Sequence, residues 1–114
     1  MEREDKAERR AQTRHKVDDS AWIDFIRMGS RRRGPIVDLS LGGCRIRMEE
    51  RFPVGIYTRV EAGFRVEGVP IRVGGVIQAI HDPSLVGIRF LDLSERKREQ
   101  LERLIAEIEE MRAG

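Results

Sequence analysis

The stretch that decides the fold is IVDLSLGGCRIRM, which occupies residues 36–48. Its first four residues include three large apolar side chains, which predict a short β-strand, and the glycine pair at 42 and 43 predicts a turn. After the turn, apolar and basic residues alternate with period two, as they do in a strand with one buried face. We therefore predict a β-hairpin in which Cys44, Ile46 and Met48 point into a core.

Four more segments predict strands, because they are rich in β-branched and apolar residues and are bounded by glycine, proline or aspartate. They cover residues 20–28, 56–64, 69–80 and 85–90. The arginine-rich run between the first two strands, residues 29–35, predicts a connecting loop. A glycine pair at 74 and 75, inside the long fifth strand, predicts a bulge or a bend.

Near the C-terminus apolar residues recur every three or four positions, and charged residues fill the positions between them, which predicts an amphipathic helix. The apolar positions are Leu101, Leu104, Ile105, Ile108 and Met111. Asp92 and Glu95 predict a capping box at the start of this helix. Six strands and one terminal helix predict a mainly β fold, an antiparallel sheet that curls on itself with the helix covering an open face or end.

The composition limits the function classes. A chain of 114 residues with 39% hydrophobic and 37% charged residues suits a single compact domain. Its single cysteine, Cys44, excludes an intrachain disulfide, and one cysteine with two histidines is too few for a Cys/His zinc site. Neither His15 nor His81 stands in a pattern typical of catalysis, and both are interpreted as solvated loop residues. We therefore predict that the chain is not an enzyme and holds no metal or cofactor.

The sequence also predicts the location of the protein. No apolar run approaches the roughly 20 residues needed to cross a bilayer. The first 16 residues are charged throughout and lack the apolar region of a signal peptide. We therefore expect a cytoplasmic protein with no membrane insertion.

Residues 1–19 are rich in basic residues and have almost no large apolar side chain, which predicts a flexible arm ahead of the first strand. Within this arm Arg10 and Arg14 stand four residues apart, and Arg9 precedes them. A guanidinium group binds phosphate through two parallel hydrogen bonds and can also donate to O6 and N7 of guanine. The arm therefore offers groups that suit a nucleotide.

The end of the second predicted strand offers complementary groups. Asp38 can accept the N1 and N2 hydrogens of a guanine base, and Ser40 adds a hydroxyl group. Gly43 has no Cβ and lets the backbone come close to a ligand. If the arm closes on this turn, the combined chemistry fits a guanine nucleotide.

At this point the sequence resembles a known family, the PilZ domains, which are bacterial receptors for cyclic di-GMP. The family's signature is an Arg-x-x-x-Arg arm followed, after a strand and a loop, by Asp or Asn-x-Ser-x-x-Gly. The matching residues are Arg10, Arg14, Asp38, Ser40 and Gly43. Residues 85–90 are similar to the family's last strand and residues 101–105 to its terminal helix, so the resemblance covers about residues 9–110.

The resemblance implies a six-stranded antiparallel β-barrel with a C-terminal helix, divided into an arm at 1–19, a barrel at 20–92 and a packed helix at 93–114. It implies a cyclic di-GMP receptor that signals by ordering of the arm and by an altered surface, read by an effector protein in trans. The resemblance further implies that arginine at position 9 favours an intercalated pair of ligands. The implied ligand-binding residues are Arg9, Arg10, Arg14, Asp38, Ser40, Gly42 and Gly43.

Three alternatives stay open at this stage. The first is a PilZ-like adaptor that acts through protein contacts and binds no nucleotide. The second is binding of DNA or RNA, which we disfavour because aromatic residues are only 5% of the chain and no segment forms a uniformly basic helix. The third is that the motif is only a charged tail and a hairpin turn, with Asp38 and Ser40 bonded to local amides.

Overall fold

A computed structural model of the chain describes residues 20–48, 54–82 and 84–113. Six strands and one helix follow one another along the chain. The strands are β1 (Ser20–Phe25), β2 (Ser30–Leu39), β3 (Gly43–Arg47), β4 (Arg59–Val66), β5 (Val69–Asp82) and β6 (Leu85–Phe90), and the helix is α1 (Glu95–Ala113). The predicted arm, with Arg9, Arg10 and Arg14, lies outside the described residues.

The six strands form a closed antiparallel barrel in the order β1-β2-β3-β6-β5-β4. Closure comes from pairing of β1 with β4, in which Trp22 stands opposite Gly63. A Cβ atom at Gly63 would lie 1.9 Å from Cε2 of Trp22, so the indole fits against β4 only because this residue is glycine. The predicted six-stranded antiparallel β-barrel is confirmed.

Alternation along the strands builds the core. Cys44, Ile46 and Met48 are buried, so their predicted inward orientation is confirmed. Phe64 and Phe90 pack edge to face inside the barrel, with ring centroids 5.9 Å apart at 82°, which is a favourable geometry for two aromatic rings.

Helix α1 packs on this core. Leu101 and Leu104 are fully buried in the same cluster as the barrel residues. At the start of the helix the N–H of Lys97 donates to Oγ of Ser94 (3.2 Å), so Ser94 is the N-cap. The predicted capping box at Asp92 was wrong, because a helix that begins at Glu95 is capped by the residue directly before it. The described part of the chain contains no helix long and apolar enough to cross a membrane.

The predicted loop at residues 29–35 was also wrong, because β2 begins at Ser30. The arginines of this segment find partners on β1 that favour an extended chain. Arg31 donates from Nε to Oδ1 of Asp24 (2.7 Å). The guanidinium groups of Arg31 and Arg33 lie over the ring of Trp22, 5.1 and 6.0 Å from its centroid, within the range of a cation–π contact.

The expected bulge at positions 74 and 75 is absent, since both glycines pair in register with β4. The register shifts of the described sheet lie elsewhere. Two lie between β5 and β6, at Ile77/Ala79 and Ile80/Asp82, and one lies between β2 and β3, at Ile36/Asp38. The last of these immediately precedes the predicted binding turn.

Candidate ligand-binding site

The turn that joins β2 to β3 is held by its own hydrogen bonds. The N–H of Ser40 donates to the carbonyl oxygen of Gly43 (2.8 Å), and the N–H of Phe90 donates to the carbonyl of Gly42 (2.9 Å). The hydroxyl of Ser40 accepts from the N–H of Gly42 (3.2 Å) and donates to the carbonyl of Gly43 (3.3 Å). The turn is therefore a fixed platform, anchored both internally and to the end of β6.

Gly43 is required for a structural reason. A Cβ atom at this position would lie 2.2 Å from the carbonyl oxygen of Ile88 on β6, whereas one at Gly42 would meet only Oγ of Ser40 at 3.8 Å. Any residue larger than glycine at position 43 would push β3 away from β6. The close approach of Gly43 to a ligand stays a prediction.

Asp38 lies directly after the register shift in β2 and faces Arg45 on β3. Nε of Arg45 donates to Oδ2 of Asp38 (2.6 Å), and Nη2 of Arg45 contacts the same oxygen. This hydrogen bond and the negative charge of Asp38 raise the pKa of Arg45 above its ordinary value. Because both arginine nitrogens use Oδ2, Oδ1 of Asp38 has no hydrogen bond within the described residues.

The turn and the ion pair border a cavity of about 410 Å³ on the outer face of the barrel, a size within the usual range for small-ligand pockets. The cavity runs across the ends of β2 and β3 to β6 and β5. Its lining residues are Asp38, Ser40, Gly42, Gly43, Cys44, Arg45, Gln78, Ala79, His81, Gly87 and Ile88. The structure thus brings the four predicted turn residues to one cavity.

Gly87 lines the cavity between two other lining residues, since it pairs with Arg45 on one side and Ala79 on the other. A Cβ atom there would meet its nearest neighbours at 3.6–3.7 Å, which is ordinary contact. The backbone therefore tolerates a side chain at this position, but a side chain would take up space in the cavity. Burial raises the pKa of the Cys44 thiol, which disfavours the nucleophilic thiolate form.

Seven lining residues were not among the predicted site residues, and three of them have charged or polar side chains that could contact a ligand: Arg45, Gln78 and His81. Arg45 could have been found from the hairpin, since it stands opposite Asp38. His81, which was interpreted as a solvated turn residue, is exposed as expected but belongs to β5. Gln78 occupies the extra position at the first register shift between β5 and β6, and nothing local in the sequence marks it.

Comparison with known proteins adds to this geometry. A family model described as the PilZ domain matches residues 8–107. The chain belongs to the PilZ domain family. The match includes all seven predicted binding residues, and the sequence matches none of the curated proteins.

Several solved structures with the same fold are PilZ proteins. The PilZ domain of CeSA from a cellulose-synthesizing bacterium has a TM-score of 0.66 at 15% identity, over 82% of this chain and 95% of that one. The PilZ domain of Escherichia coli YcgR with c-di-GMP gives 0.65 at 20% identity, over 79% and 81%. Borreliella burgdorferi PlzA in complex with c-di-GMP gives 0.61 at 18% identity, over 82% of this chain and 36% of that one. At these identities the likeness shows the fold.

Proposed function

We propose that this PilZ domain is a receptor for cyclic di-GMP. The observation that carries the proposal is Asp38, which is fixed by Arg45 at the edge of the cavity and keeps Oδ1 without a hydrogen bond within the described residues. A guanine base offers two adjacent donors, N1–H and N2–H, to such a carboxylate. Arg45 then acts as a positioning residue, which holds the carboxylate in one orientation.

The arm supplies the positive charge for the phosphates. Ser20, the first described residue, pairs with Pro35, three residues before Asp38 on β2, which corresponds to about 10 Å along the strand. The six steps of chain from Arg14 to Ser20 span up to about 20 Å. Arg10 and Arg14 are therefore within reach of a ligand in the cavity, and Arg9 can serve a second, intercalated ligand molecule.

Signalling follows from this arrangement. Clustered arginines repel one another in the free protein, and a dianionic ligand neutralises them and connects the arm to the turn. The ordered arm changes the surface that an effector protein meets. Ligand binding, arm ordering and the altered surface are thus one event.

One observation favours the alternative, an adaptor that binds no nucleotide. The hydroxyl of Ser40 is already used by two hydrogen bonds inside the turn, as expected if the motif served only local structure. Under the receptor proposal Ser40 keeps these bonds and shapes the turn for the ligand. The two functions therefore differ in one measurable property, which is affinity for the dinucleotide.

Calorimetric titration of the full chain with cyclic di-GMP, GTP and cyclic GMP distinguishes them. We expect tight binding of the first alone. Arg10→Ala and Arg14→Ala should each weaken it strongly, while Arg72→Ala, on the exposed outer face of β5, should leave it unchanged. No heat from cyclic di-GMP with the wild-type protein would reject the receptor and leave the adaptor.

A further inference from the structure

Exposed apolar side chains gather at the end of the barrel that lies away from the Ser40–Gly43 turn. Among the described residues five large apolar side chains are exposed, and four of them lie at this end: Ile26, Met28, Ile56 and Tyr57. A groove of about 460 Å³ runs between the β1–β2 turn and the segment 54–59. We call it the distal groove. Clustered exposed apolar residues of this kind are typical of interaction sites.

The distal groove is separate from the candidate ligand site. Strand β2 begins at Ser30, beside the groove, and ends at Leu39, beside the binding turn. Its ten residues span about 30 Å. The two sites share no lining residue, although on β5 they are close, since Tyr57 of the groove bonds to Ile77 and the next residue, Gln78, lines the cavity.

Tyr57 is the most exposed of the four, with 76% of its surface accessible, and its backbone has φ of 68°. A left-handed conformation is unfavourable for a residue with a Cβ. Hydrogen bonds hold it there, since the N–H of Tyr57 donates to the carbonyl of Ile77 (2.6 Å) and the N–H of Ile77 donates to the carbonyl of Thr58 (2.9 Å). The fold thus fixes a strained aromatic residue whose side chain gains little burial in return. Strain of this kind gathers at binding sites, and tyrosine is common among the residues that dominate interfaces.

Two arginines border the groove and determine which partner it suits. Arg27 and Arg59 both line it, both are exposed, and neither has a carboxylate partner within the described residues. Symmetric pairing of two copies would bring these arginines of both chains together, which like-charge repulsion disfavours. A lipid surface is flat, whereas the groove is concave and has room for inserted side chains.

We propose that the distal groove is a docking site for an amphipathic, acidic segment of a partner protein. Apolar side chains of that segment fill the groove against Met28 and Tyr57, and its carboxylates pair with Arg27 and Arg59. The proposal goes beyond nucleotide binding and does not depend on it, since the groove is formed by the chain without ligand.

Selection of short random peptides on the full chain tests this proposal. Peptides are displayed, enriched on the wild-type protein and depleted on Met28→Ser. We expect the enriched peptides to combine large apolar residues with Asp or Glu. In fluorescence anisotropy with one purified enriched peptide, Met28→Ser and Arg59→Glu should each weaken binding about tenfold or more. Val69→Ser, which removes the fifth exposed apolar side chain at another turn, is the matched control and should bind like wild type.

Tyr57→Gly separates binding from folding. Glycine tolerates positive φ, so this variant should unfold at the same or a higher temperature than wild type while losing peptide affinity. The proposal is wrong if the enriched peptides are not acidic, if no peptide distinguishes wild type from Met28→Ser, or if Tyr57→Gly binds as tightly as wild type. Dimerisation in sedimentation that Met28→Ser abolishes would also overturn it, as would flotation with anionic phosphatidylglycerol vesicles that depends on Met28.

Discussion

Replacing Asp38 with alanine separates the binding role of this residue from its structural role. The ion pair of Asp38 with Arg45 is half exposed, with 49% and 42% of the two side chains accessible. Exposed pairs of this kind contribute about 0.2–1 kcal/mol to folding. For a domain of this size that loss lowers the melting temperature by a few degrees, about 5 °C at most.

Binding should respond much more strongly. Truncating one partner of a desolvated, hydrogen-bonded charge contact costs about 2–5 kcal/mol, which raises the dissociation constant about 30- to 5,000-fold. Calorimetry gives this constant, and circular dichroism gives the melting temperature. Asp38→Ala removes the acceptor itself and also leaves Arg45 without its partner. Arg45→Ala removes only the residue that positions the carboxylate, so it should weaken binding less than Asp38→Ala does.

Asp24→Ala is the matched control. Asp24 also pairs with an arginine seven positions along the chain, Nε of Arg31 at 2.7 Å, and its side chain is only 22% exposed. The control should therefore lose at least as much stability as Asp38→Ala and still bind cyclic di-GMP like wild type. Equal affinity of wild type, Asp38→Ala and Asp24→Ala for cyclic di-GMP would refute the assignment of Asp38. Equal losses of affinity in Asp38→Ala and Asp24→Ala would show that folding alone explains the effect.

Three further outcomes are expected. Calorimetry with wild-type protein should give two molecules of cyclic di-GMP per chain and Arg9→Leu only one; a wild-type ratio of one would contradict the intercalated pair. Leu104 is fully buried, so Leu104→Ala should lower the unfolding free energy in urea by about 3 kcal/mol and exposed Glu99→Ala by less than about 0.5 kcal/mol; equal stability would mean that α1 is not part of the core. Hydrogen bonds from the N–H and Oγ of Ser84 lower the pKa of Asp82. The ionised carboxylate therefore stabilises the fold at pH values above the ordinary pKa of aspartate, and this stabilisation is lost as the pH falls through the lowered pKa. Asp82→Asn should therefore melt below wild type at neutral pH, with the difference closing in acid; a difference independent of pH would contradict this.

The parts of the fold that local patterns determine could be predicted from the sequence. The last strand, Leu85–Phe90, was predicted with the bounds it has, because its apolar residues lie between a turn and a polar connection. The segment 29–35 could not be predicted in this way. Its three arginines resemble a solvated loop, and the contacts of Arg31 and Arg33 that favour a strand are made with Asp24 and Trp22 on β1.

The candidate site likewise contains residues that could be predicted from the sequence and residues that could not. Asp38, Ser40 and Gly43 could be found because a turn motif places them within six consecutive residues. Gln78 and His81 could not, because the pairing of β5 with β6 and its register shifts bring them to the cavity. A register shift depends on how neighbouring strands pair, and no residue type at the shifted positions of β5 predicts it.

The measurement that tests the receptor most directly is an amide correlation spectrum of isotope-labelled protein during titration with cyclic di-GMP. We predict the largest shifts at residues 38–43 and at 8–16, together with a rise in the backbone order of 8–16 on binding. Amides of 26–29, in the β1–β2 turn at the opposite end of β2, should change little and serve as the internal reference. Absence of shifts at saturating ligand, or shifts that leave the Ser40–Gly43 turn untouched, would contradict the proposed site.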